Sequence, residues 1–301
     1  MWWCDHLFSP CIQWLYNCAA TALLLLLSWA TAQAAPYQQG LLWKIERSGQ
    51  AASYVFGTIH SEDPRVLNLP KPVQSTFDGA STFVMEALLT ERAMQVMSNA
   101  MLFQDGRGLK DVVSPNTYGK AVTALTDYGL PEAAVQLMQP WALAITLSTP
   151  KPKTGLVLDL ALMQQAQAAG KKTAGLETFE EQLGIFTKLS MPEQVSMLED
   201  TLKHLGIVQK VLEQIHQAYL ARDLAKLERL SAEQQALGDQ AMGKKLMHQL
   251  IDQRNARMVT RMEPFLKRGQ AFIAIGALHL PGEVGVLNLL AKQGYRVSVV
   301  Y

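Results

Sequence analysis

Two histidines and one glutamate carry the strongest chemical signal in this chain. His60 closes the run Gly57-Thr58-Ile59-His60, and His279 closes Gly276-Ala277-Leu278-His279. Each G-x-x-H ends a short apolar run, Ala52 to Phe56 and Ala271 to Ile275, with the pattern of a buried strand. A histidine just past the carboxyl end of such a strand faces the crevice in which open α/β sheets bind ligands. The glycine three residues earlier, having no Cβ, lets backbone or ligand approach closely as the strand turns. Glu86 sits in a third apolar run, Thr82 to Ala87. Burying a carboxylate there without a cation would cost several kcal/mol. If the strands pack side by side, the three form a His₂-carboxylate set. Such a set suits Zn²⁺, Mn²⁺, Co²⁺ or Fe²⁺ and leaves positions open for water and substrate. Taken singly, either histidine reads more readily as an imidazole satisfied by backbone at a strand end, and it is the pair that favours chemistry.

The elements that must position these residues fall into three stretches. Leu41 to Ile45 and Ala52 to Phe56, split by Arg47-Ser48-Gly49-Gln50, read as a hairpin. A loop, a helix over Lys71 to Asp78 and the strand bearing Glu86 follow. From about Thr90 to Leu266 the pattern is mostly helical, rich in Ala, Leu, Gln, Met and Glu, with stops at Pro and Gly. Ser148 to Thr154 is its clearest irregular segment, and Pro192 marks the first turn of a helix expected to run toward Ala221. The end repeats the beginning: strand, G-x-x-H, helix from about Val284 to Gln293, and strand from Tyr295 to Tyr301. The expected fold is α/β, a single domain. Its sheet is assembled from N- and C-terminal strand–GxxH–helix–strand repeats, with a large helical insertion at about 90–266.

GTIH at 57–60, the Glu of FVMEA at 82–87 and GALHLPGEVGVLNLLAKQGYRV at 276–297 together resemble the TraB/PrgY/GumN family, to which the Tiki metalloproteases are related. LDLALMQQAQAAGKKTAGLETFEEQL at 158–183 and RNARM at 254–258 match in the same order, so the resemblance spans nearly all of residues 41–301. It implies a metal-dependent hydrolase site built on His60, Glu86 and His279, with a divalent ion (Mn, Co or Zn) and a peptide or protein substrate. Glu177 is the candidate base or further ligand, or only a charge at a helix start capped by Thr178. Arg254 is the candidate for a substrate carboxylate or developing oxyanion and Asn255 for orienting either, unless both are merely the polar face of a helix. Two other readings stand beside this one. They are a non-catalytic protein that sequesters a peptide or small ligand, and an erythromycin-esterase-like hydrolase in which a histidine acts as general base without metal.

Other chemistries lack support. Lys245 stands where a phosphate-binding G-x-x-x-x-G-K-[S/T] at 238–245 needs a hydroxyl, and no strand precedes it. No H-E-x-x-H or G-x-S-x-G occurs. His204, His216 and His248 sit among polar residues in helical stretches and read as solvated; the stripe Met94, Met97, Met101 reads as core. The formal charge of +1, from 27 basic and 26 acidic residues, gives no bulk attraction to nucleic acid.

The apolar run AATALLLLLSWA at 19–30, followed by small residues at 32 and 34, reads as a cleaved export signal over 1–35, which puts residues 36–301 in the periplasm. No Lys or Arg precedes that run, so an uncleaved anchor is the alternative. Cys4, Cys11 and Cys18 all fall in the leader, so thiolate chemistry and disulfides are not expected of the mature chain. After cleavage no stable membrane insertion is expected.

Overall fold

A computed structural model describes residues 37–301, and the proposed export signal lies outside them. The N-terminal stretch forms β1 (Leu42–Glu46), β2 (Ser53–Thr58), α1 (Pro64–Leu67), α2 (Lys71–Gly79) and β3 (Thr82–Met85). The middle holds α3 (Glu91–Met101), α4 (Pro115–Thr126), α5 (Glu132–Leu137), α6 (Pro140–Leu147) and α7 (Leu158–Ala168). It continues through β4 (Lys172–Gly175), α8 (Phe179–Thr187), α9 (Met191–Lys203) and α10 (Leu205–Leu220). Next come α11 (Leu224–Gln235), α12 (Gln240–Met247) and α13 (Gln253–Arg268). The chain ends in β5 (Ala271–Gly276), α14 (Val286–Lys292) and β6 (Arg296–Val299).

The six strands form one mixed sheet in the order β4-β3-β5-β2-β1-β6. β4, β3, β5 and β2 are parallel neighbours, while β1 runs antiparallel to β2 and β6 antiparallel to β1. The two G-x-x-H units therefore interleave: β5, from the C-terminal unit, lies between β2 and β3 of the N-terminal one. That position explains the composition of β5. Buried on both faces, it reads Ala-Phe-Ile-Ala-Ile. Phe272, near its start, meets the rings of Phe56 and Phe77 at centroid distances of 5.7 and 5.3 Å.

One expectation for the middle is corrected, and a strand is added. The middle, mostly helical, also contributes β4 to the parallel sheet. Lys172-Thr173-Ala174-Gly175 is short and half exposed, so no apolar alternation announces it. The helix starting at Pro192 breaks at His204 (φ −107°, ψ 14°). Residues before the break, such as Leu198, pack in a separate helical core with Leu125, Val135 and Trp141. Residues after it, such as Val211, Ala218 and Tyr219, join the core under the sheet. One straight helix could not serve both. Two side-chain readings change as well. Met94 is exposed, so the methionine stripe is not core throughout. His216 is mostly buried, with Nε2 3.1 Å from Asp63 Oδ2, and is not a solvated side chain.

Candidate active site

The parallel register brings the carboxyl ends of β4, β3, β5 and β2 to one edge, in the order Glu177, Glu86, His279, His60. The ladder between β3 and β4 continues past both strands through Glu177 N–H donating to Glu86 O at 2.6 Å. Past β5 the chain makes one tight turn over Ala277–His279 that sends His279 back into the protein.

Each motif glycine has a steric reason. A Cβ on Gly57 would lie 2.7 Å from Leu280 and 3.1 Å from the Ala277 backbone, so β2 could not lie against the turn after β5. A Cβ on Gly276 would come within 3.3 Å of Glu86 Oε1, while the Gly276 N–H donates to that same oxygen at 2.7 Å. The second motif thus leaves room for a carboxylate and supplies it with a donor.

Glu86, His279, Glu177, Arg254 and Asn255 form one cluster, buried except for the partly exposed Glu86. His279 Nδ1 stands 2.7 Å from Asn255 Oδ1, and Asn255 Nδ2 donates to Val284 O at 2.8 Å. Because the Asn amide spends its donor on a carbonyl, its oxygen faces the ring. His279 therefore carries its proton on Nδ1 and keeps the Nε2 lone pair free. That Nε2 lies 3.6 Å from Glu86 Oε1. Burial pushes the His279 pKa down to about 4, against the pull of Glu86. Burial works to raise the Glu86 pKa, but His279, Arg254 and the Gly276 N–H outweigh it and hold the carboxyl well below its usual range.

Arg254 joins the two acids. Its Nε donates to Glu177 Oε2 at 2.8 Å and its Nη2 to Glu86 Oε2. Arg257 donates to Glu177 Oε1 at 2.6 and 2.9 Å, leaving that fully buried carboxylate with no idle oxygen. The first turn of α13 follows directly on a π-turn, His248–Asp252, that joins it to α12. Such turns shift helix register locally. Here Arg254 and Asn255 leave it buried, on the face toward the strand ends.

His60 stands apart from this cluster. Its side chain is 75% exposed, and Nδ1 lies 3.2 Å from Asp159 Oδ2. The Asp159 carboxylate raises the imidazole pKa to about 9. Thr58 Oγ1 donates to Asp159 Oδ1 at 2.6 Å, while Oδ2 is buried without a hydrogen-bond donor. Asp159, in the first turn of α7, is the residue that sequence reasoning missed. It lies inside the LDLAL stretch, but one acid in an apolar helix start reads as a charge favouring the helix dipole.

By donor type these residues fit a divalent transition ion: an imidazole with a fixed tautomer and free Nε2, an ionised carboxylate beside it, and a second imidazole at the next strand end. Among the described residues, however, no three His, Cys, Asp or Glu side chains are gathered closely enough to hold an ion. Arg254 and Gly276 occupy Glu86, and His60 turns toward Asp159.

The profile of the TraB/PrgY/gumN family matches residues 41–299. Among curated proteins, the metalloprotease TIKI1 of Danio rerio is 25% identical over 85% of this chain and 62% of its own length. The human metalloprotease TIKI1 is 26% identical over 85% of this chain and 61% of its own. Metalloprotease TIKI2 of Xenopus tropicalis is 24% identical, with 85% and 59% covered. The chain therefore spans about 60% of the length of these relatives. No solved structure matches it significantly. Among the described residues no helix is long and apolar enough to cross a membrane.

Proposed function

Since this chain belongs to the TraB/PrgY/gumN family, we propose that it is an exported metal-dependent hydrolase that cleaves amide bonds of peptides or proteins. The observation that carries this reading is the orientation of His279. Asn255 fixes its proton on Nδ1, so Nε2 presents a lone pair 3.6 Å from the ionised Glu86. Distant relatives named as metalloproteases support the class of reaction. The apolar leader with small residues at 32 and 34 supports export.

The ion would be held by His60, Glu86 and His279, and would polarise the scissile carbonyl and make water acidic enough to attack at neutral pH. The chain's own residues do the rest. Asn255 keeps the His279 ring in one tautomer. Gly276 N–H and Arg254 hold Glu86 ionised, and Arg254, whose Nη1 also donates to Leu250 O, acts through the two glutamates rather than on the substrate directly. Glu177 anchors Arg254 and Arg257. Asp159 faces Nδ1 of His60 and so leaves Nε2 as that ring's free nitrogen. The test is cleavage of a peptide library with Mn²⁺, Co²⁺ and Zn²⁺ beside Glu86→Gln. We expect metal-stimulated turnover that the variant loses at least about 100-fold. Binding without turnover under every metal would leave the sequestering reading instead.

A second reading has one observation in its favour. His60 and Asp159 pair without any ion, the arrangement of a base and its orienting acid in a metal-independent hydrolase, which with the ring's pKa raised to about 9 would work in the alkaline range. Hydrolysis that persists in EDTA and is lost in Asp159→Asn would favour it.

A further inference from the structure

A groove of about 910 Å³ opens beside His60, and nothing described so far uses it. We infer that this groove binds bulky apolar side chains of an extended peptide next to the bond cleaved. As a statement about substrate, the inference rests on the hydrolase reading. The groove runs from the end of β2 to the helical middle of the chain. Its apolar lining comes from separate elements: Met101 ends α3, Leu130 and Met138 flank α5, Val157 precedes α7, and Leu212 belongs to α10. Met101, Leu130, Val157 and Leu212 are only partly buried in the absence of a ligand. They hold apolar surface open toward the one exposed histidine of the site. Met101 and Met138 are unbranched and polarizable, which suits a surface that accepts Leu, Phe or Met rather than one fixed shape.

The wall is already in place. The irregular segment after α6 is held by Glu62, whose carboxylate accepts the N–H groups of Lys153, Thr154 and Gly155 at 3.0, 2.6 and 3.1 Å and the Thr154 hydroxyl at 2.9 Å. Tyr128 ties the start of the segment by donating to Thr149 O at 3.1 Å. Asp63, the next residue after Glu62, pairs with Arg65 and His216, fixing the chain after His60 against α10. A groove ordered before binding loses little entropy when a peptide enters, which raises affinity for a given area. Its continuity with His60 makes a peptide substrate, rather than a separate partner, the occupant. The volume lies near the top of the ~300–1,000 Å³ range of enclosed ligand sites, room for more than one side chain.

The experiment uses the full chain in EDTA and the same chain carrying His60→Ala, so that binding is read without turnover. Fluorescein-labelled Gly-Ser peptides with Leu, Phe or Met guests are compared with Ser guests by fluorescence anisotropy. We expect the apolar guests to bind at least about tenfold more tightly. Leu130→Asp and Leu212→Asp, with the milder Leu130→Ala, should erase that preference, while Ile207→Asp, exposed outside the groove, should keep it. Circular dichroism and thermal melting verify that each variant is folded. Equal affinity for Ser and Leu guests, or a preference that survives in the folded groove variants, overturns the inference. So does displacement of the peptide by a fatty acid that binds more tightly, which would make the groove a lipid site. Guest-dependent binding with no cleavage under any metal supports the groove and ends the hydrolase reading; cleavage indifferent to the guest does the reverse.

Discussion

His279 and His60 end the same four-residue motif on adjacent parallel strands, yet the protein treats them in opposite ways. His279 is buried, its tautomer fixed by Asn255 and its protonation suppressed by burial. His60 is mostly in water and leans on one carboxylate that favours its proton. One neighbourhood is over-determined by an arginine, an asparagine, two glutamates and a glycine N–H; the other offers an exposed group at the mouth of a groove. As the hydrolase proposed above, the protein would use both kinds of part, a rigid ionised carboxylate and an exposed group that can meet substrate. The same local sequence can supply either, because the environment is set by what packs across the strand ends.

The largest test of this contrast is Arg254→Met. It leaves Glu86 and Glu177 buried with one partner removed from each, and should cost about 3–5 kcal/mol by urea unfolding. The matching removal of charge on the open side, Asp159→Asn, should cost less than about 1 kcal/mol by the same measurement, because a partly exposed pair is screened by water. Similar losses in the two variants would erase the distinction.

Acid should separate the two rings next. The folded-state pKa of His279 is depressed to about 4, so the unfolded chain binds the extra proton first. The stability His279 lends is therefore present above its ordinary pKa of ~6.5 and lost as pH falls toward 4. In EDTA this amounts to about 2 kcal/mol between pH 8 and pH 5, read from urea midpoints, and His279→Gln should flatten the slope. For His60 the sign reverses. Its raised pKa gives a contribution present below ~6.5 and lost as pH rises through about 9. Exposure makes that contribution small. The clearer readout is the imidazole NMR titration: in EDTA, His60 should still be protonated at pH 8 while His279 stays neutral to below pH 5.

A smaller effect is expected from Asn255→Ala, about 1–3 kcal/mol, since a buried imidazole N–H loses its acceptor. If His279 Nε2 holds the ion, the same change should weaken metal affinity about 10- to 100-fold by isothermal titration calorimetry. Unchanged affinity would separate Asn255 from the metal question.

Some of this was legible in the chain and some was not. The hairpin of β1 and β2, the helix at Lys71 and the strands around Phe83 and Ile273 follow from short apolar runs between turn residues. Those patterns report burial, which is what a sheet core needs. The residues of the candidate site were legible as types: His60, Glu86, Glu177, Arg254, Asn255 and His279 were all singled out. Their pairings were not. Nothing in RNARM says that Arg254 spends its nitrogens on Glu86 and Glu177, because that depends on a π-turn and on which face of α13 meets the sheet. β4 and Asp159 escaped notice for a related reason. Each is short or solitary, and its role is defined only by what lies beside it.

Sequence by itself determined every strand but β4, the two G-x-x-H turns and the acids and bases available to them, since those rest on local patterns of apolar and polar residues. Tertiary structure alone decided that β5 slips between β2 and β3, and hence which histidine is buried against Glu86 and which is left at the groove. Strand order is settled by long-range packing, and a side chain's proton follows the burial and charges that packing brings to it.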